Sequence, residues 1–121
     1  MERRDYLLRV IEEMGRITAR IREMLLGGDV VKAATELQAA ARVAGLDVGT
    51  ARALTADSLL LLLRMSPDAD NGRVKLAADL LELDAMVAEA EGKEAVAESY
   101  RLKATQLREA VGLLNQHDSA D

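Results

Sequence analysis

The stripe of apolar residues near the start of this chain constrains its fold more than any other feature. Leu7, Val10, Met14, Ile17, Ile21 and Met24 step by three and four without a break. A helix turns once in 3.6 residues, so this spacing lines one face of a helix over residues 2–26, about 37 Å long. Ile11, Thr18 and Leu25 form a second column beside it at intervals of seven. A double stripe is too wide for a two-stranded coiled coil and predicts a helix packed against two neighbours. Gly27-Gly28 ends it, because glycine takes the left-handed cap conformation cheaply, and Gly28 is expected to have a positive φ or to sit in the tight turn between two antiparallel helices.

The rest of the chain reads as further helices. Asp29 caps a second one that runs to about Ala44, with Gly45 as its stop. Its face is small (Ala33, Ala34, Leu37, Ala40, Ala41, Ala44), which lets two helix axes come close. The short connection forces this helix antiparallel to the first. In residues 46–65, Asp47 or Thr50 caps a short helix over 48–54, and Thr55 caps another. Leu59 to Leu63 covers every side of that helix, so the segment is expected to be nearly surrounded by protein. Residues 66–72, Ser-Pro-Asp-Ala-Asp-Asn-Gly, are the strong break and the candidate hinge.

A further helix spans about Gly72 to Glu91, with one apolar face drawn from Val74, Leu76, Ala77, Leu80, Leu81, Leu83, Ala85 or Met86, Val87 and Ala88. Gly92 interrupts it. The last runs from Lys93 to about Asn115, with Ala97, Tyr100, Ala104, Leu107, Val111 and Leu114 at helical spacing. Residues 1–115 thus read as one helical domain, and the polar residues 116–121 as a tail that frays.

Composition agrees with this reading. A chain of 121 residues suits one domain, and 50 % apolar with 31 % charged residues is a globular balance. Alanine and leucine supply about a third of the chain, which favours helix over strand. The fold class expected is an all-α, irregular tetratricopeptide-like antiparallel bundle of five to six helices.

Two junctions carry that qualifier. Gly28-Asp29 followed by Ala33, Leu37 and Ala40 resembles the glycine and second helix of a tetratricopeptide repeat. Gly92, Ala97 and Ala104 have similar offsets, with Lys93 in place of the aspartate and Arg101 where a large apolar residue is usual. The two glycines lie 64 positions apart, not one repeat length of about 34, so the likeness is to the hairpin and not to an array. The opening Asp5-Tyr6-Leu7-Leu8-Arg9-Val10-Ile11-Glu12, with Arg16 and Ala19-Arg20-Ile21, also resembles a family of small bacterial helical proteins. That resemblance implies a fold and a bacterial origin; no activity or residue role comes with it.

Chemistry is sparse. Without cysteine there is no thiol nucleophile, disulfide or thiolate metal site, and His117 is the sole imidazole. Set in a polar tail, His117 reads as an ordinary exposed histidine rather than a base held for catalysis. Asp79, Glu82 and Asp84 lack the Glu-x-x-His pairs of a di-iron bundle and read as a solvated acidic face; the same holds for Glu12-Glu13. Gly27-Gly28 and Gly45-x-x-x-Gly49 have neither the context nor the Lys-Ser or Lys-Thr of a phosphate loop. Ser58 and Ser66 have no histidine within reach for a triad. No catalytic residue, metal or cofactor is expected, and the chain reads as non-enzymatic.

Charge bears on partners. Residues 1–60 balance nine basic against nine acidic side chains, while residues 61–121 hold seven against twelve. An acidic second half repels phosphate backbones and argues against nucleic acid. The charged N-terminus has no signal-peptide form, and the longest apolar run, Leu59–Leu63, cannot span a bilayer. A cytoplasmic protein is the expectation. Met14, Met24, Met65 and Met86 read as core filling, with an adaptable groove as the alternative.

The function expected is a helical interaction module that binds a protein partner or a second copy of itself. Its candidate surface is the first helix: the apolar Leu7, Val10, Met14 and Ile17 with Arg9, Arg16 and Arg20 beside them. The first turns of that helix need a cover, from Leu107, Val111 and Leu114 of the last helix or from a second subunit. A DNA-associated regulator using the three arginines, or a ligand-binding bundle lined by leucine and methionine, are the alternatives.

Overall fold

A computed structural model describes the backbone of residues 2–65 and 71–119, and side chains over 8–42, 44–65 and 72–112. Among the described residues the chain forms six helices and no strand. They are α1 (Glu2–Leu26), α2 (Val30–Ala44), α3 (Val48–Ala53), α4 (Ala56–Met65), α5 (Asn71–Ala90) and α6 (Glu94–Ser119). The all-α class is as expected. α6 extends past Asn115, its expected end. The candidate hinge at 66–72 falls largely outside the described residues.

One device ends three of the helices. Gly28, Gly45 and Gly92 have φ of 80°, 72° and 83°, the left-handed region that only glycine enters without strain. In each case the following N–H reaches back five residues: Asp29 to the Met24 carbonyl, Leu46 to Ala41 and Lys93 to Ala88, at 2.8–2.9 Å. The glycine N–H itself bonds three back, so carbonyls left open by the helix end are satisfied. Helix starts use side-chain oxygens. Asp29 accepts from the Lys32 N–H, Asp47 from that of Thr50, and the Thr55 hydroxyl from that of Ser58. Asp47 rather than Thr50 is therefore the cap of α3.

α5 is the spine. Leu76, Leu80, Leu83 and Val87 lie on one of its faces and pack with α1 and α2, among Val10, Met14, Ile17, Ile21, Ala33, Leu37 and Ala40. Val74, Ala77, Ala78 and Leu81 lie on the other, with Ala51, Leu59, Leu63, Ala104, Leu107 and Val111. Ala85 and Ala88 continue this second face against Ala97 and Tyr100. The single apolar face expected of this helix is thus two faces. The α1–α2 hairpin covers one, while α6 with the short α3 and α4 covers the other.

Two expectations about packing are corrected by this arrangement. α1 has the two neighbours its double stripe requires, but they are α2 and α5. Leu107 and Val111 of α6 pack on the far face of α5 instead of folding over α1. Val10 is covered within the chain by the first core. Nor is the leucine run of α4 surrounded: Leu59 and Leu63 are buried, whereas Leu61 and Leu62 are exposed. α4 lies at the edge of the bundle, so only one side of it meets protein.

Candidate interaction surface

The residues expected to form a surface on α1 separate. Val10, Met14 and Ile17 are buried in the first core. Their stripe is used inside the chain, and so is not a free face. The Leu7 side chain lies outside the described residues. Arg9 is exposed. Arg16 pairs with Glu13 at 3.3 Å on its own helix, and Arg20 crosses to Glu36 of α2 at 2.9 Å. Two of the three arginines therefore serve ion pairs, one of which ties the hairpin together. Such solvent-exposed pairs contribute at most about 1 kcal/mol each.

The acidic residues of α5 are also occupied. Arg108 of α6 reaches Asp79 at 2.8 Å and Glu82 at 2.6 Å, and Arg101 reaches Glu89 at 2.6 Å. Asp84 is not part of a solvated face: it is 4 % exposed and holds Arg52 of α3 through two hydrogen bonds of 2.6 and 2.8 Å. These bonds keep the Arg52 guanidinium more firmly charged than usual, against the desolvation that opposes it. Lys103 of α6 donates to the carbonyls of Ala51 and Arg52, at 2.8 and 3.0 Å, where α3 ends. Burial lowers its pKa, and the charge of Asp84 partly offsets that. Among the described residues no group of carboxylates or imidazoles converges as a metal site would. The His117 side chain lies outside them.

These bonds fix the frame on which α4 sits. α3 is clamped to α5 through Arg52 and Asp84, and to α6 through Lys103, and α4 follows α3 after two residues. Leu59 and Leu63, four apart, point into the second core. The opposite side of the helix then faces out: Leu61 is 65 % exposed, Leu62 46 % and Met65 73 %. Met14 is core, and Met24 and Met86 are partly buried against it, so Met65 is the one of the four methionines that leaves the interior.

Depressions lie on both sides of this ridge. One, between α4 and α6, is lined by Thr55, Ala56, Asp57, Ser99, Leu102 and Lys103, and Leu102 is itself exposed. The other includes Gly45, Asp47, Thr50, Leu62 and Arg73. A third lies between α1 and α5, and its lining includes Ile11, Gly15, Leu83, Met86, Arg22 and Arg101. Sequence reasoning missed the α4 face because five leucines in a row carry no periodicity. Only the core positions of Leu59 and Leu63 reveal which side is left over.

Among the described residues no helix is long and apolar enough to cross a membrane. Compared with protein-family models, curated proteins and solved structures, the chain matches none.

Proposed function

We propose that this chain is a non-enzymatic helical interaction module, binding a protein partner or a second copy of itself through the outward face of α4. The observation that carries the reading is the exposure of Leu61 and Met65 on a helix whose other side already fills the core. A neighbouring groove with the exposed Leu102 enlarges the apolar area beyond one helix. Side chains of this size left in water cost free energy that a docking partner recovers, at about 25 cal/mol per Å² covered. The clamps at Arg52 and Lys103 support the same reading, because they hold the ridge on a rigid frame before any partner arrives.

Affinity capture from the host's own extract tests it, with wild type and Leu61→Glu/Met65→Glu run side by side. A protein, or the untagged chain, that wild type retains and the variant loses is the expected result. Equal retention by both removes α4 as the binding surface.

A further inference from the structure

We infer that the occupant of the α4 face is a second copy of this chain, with the two α4 helices antiparallel across a two-fold axis. The inference rests on the interaction-module reading and names its partner. The argument comes from charge order along the helix. Asp57 stands in the first turn of α4 and Arg64 in the last. At 100° per residue, Asp57, Leu61 and Arg64 share one side of the helix with Met65 adjacent, opposite Leu59 and Leu63. The exposed face therefore reads acid, apolar, base. Among the described residues neither Asp57 nor Arg64 has an ion-pair partner within the chain, although Arg52 of α3 and Arg101 and Arg108 of α6 do.

A face of that order is complementary to itself when reversed. Turned about an axis between residues 60 and 61, Asp57 of one copy meets Arg64 of the other, and the reverse pair forms with it. Leu61 meets Leu61 near the axis, where water is excluded best. A parallel alignment would set acid against acid and base against base, so the charges also fix the direction. α4 is about 15 Å long, and its ridge alone is smaller than the roughly 800 Å² per partner of a stable interface. Leu102, beside Asp57 across the flanking groove, extends it. The dimer is accordingly weak and reversible, with a mass that climbs with concentration.

Light scattering after size exclusion, from micromolar to hundreds of micromolar protein, is the first measurement. A mass rising from 13.1 kDa toward twice that value is expected. A mass of 13.1 kDa throughout overturns the self-pairing. Capture of a different protein through α4 would then leave the interaction-module reading standing, so the two failures are distinguishable.

Two single variants give the sharper test. Asp57→Lys and Arg64→Glu each place like charges opposite one another twice in a homodimer, and each weakens self-association by about tenfold or more. Mixed together they form a heterodimer in which both pairs are again opposite in sign, so association returns to near the wild-type level. Helical circular dichroism, equal in all samples, confirms that the fold is kept. A mixture no more associated than its components overturns the antiparallel α4 pairing.

Discussion

Arg52 and Asp84 are separated by 32 positions and meet fork to fork, with Nε and Nη2 of one on the two carboxylate oxygens of the other. Their surroundings differ. The Asp84 side chain is 6 % exposed, while that of Arg52 is 42 % exposed. The pair is therefore asymmetric, and removing either half has a different consequence. Arg52→Ala leaves a buried carboxylate without its counter-charge and costs about 2–3 kcal/mol. Asp84→Ala lets Arg52 turn to solvent and costs nearer to about 1 kcal/mol. In the double variant the Arg52 loss is largely masked, because the group it orphaned is gone. Urea unfolding of the three variants, with unchanged m-values, measures this order.

Glycine substitutions should split by sign. At Gly28 an added Cβ meets no atom within 4 Å, so the cost of Gly28→Ala comes from the backbone at φ 80°, about 1 kcal/mol. Gly15 lies inside α1, where an added Cβ also meets nothing within 4 Å. Gly15→Ala should therefore stabilise by about 0.5–1 kcal/mol, through helix propensity alone. Thermal midpoints that move in opposite directions are the expected result.

Leucines that look alike in sequence should differ in cost. Leu37→Ala empties a fully buried position between α1, α2 and α5 and costs about 2–5 kcal/mol. Leu62→Ala, on the outer side of α4, stays within about 0.5 kcal/mol when measured on dilute protein. A large loss at Leu62 would mean that the leucine run is enclosed after all.

Acid titration should find Asp47. Its carboxylate accepts from the Thr50 hydroxyl at 2.7 Å, and this bond, together with those from the Thr50 and Gly49 backbone, holds its pKa below the ordinary 3.8. The folded chain binds that proton more weakly than the unfolded one. The contribution is fully present above pH 3.8 and is lost as pH falls through the lower folded value. The stability difference between wild type and Asp47→Ala should be constant from neutral pH to about 5 and shrink below 3.8.

The legible part of the fold was what local physics writes at short range. Apolar spacing, glycine stops and Asp or Thr caps placed each helix to within a few residues, and a left-handed Gly28 was foreseeable from an abrupt stop. Partner choice was not. Val10, Met14 and Ile17 carry the same pattern whether they meet α5, α6 or another molecule, so periodicity identified a buried face without identifying its cover. Asp84 gave one signal that local reading passed over: a carboxylate flanked by Leu80, Leu81, Leu83, Ala85 and Val87 must find a cation inside or not ionise. Nothing within ten residues named Arg52 as that cation. The α4 surface was illegible for a further reason, since a run of five leucines has no phase until the core selects one.

α5 makes two interiors out of one chain, and it is the element they share. Leu80 and Leu81 are adjacent in sequence, yet one belongs with Ile21 and the other with Leu107. A shift of α5 that filled a cavity at Ile21 would also move Leu81 against Leu107, because Leu80 and Leu81 share one backbone. Ile21→Ala and Leu107→Ala are therefore expected to couple in a double-mutant cycle rather than add. α4 reaches this shared axis through Leu59 and Leu63, which pack in the second core together with Leu81.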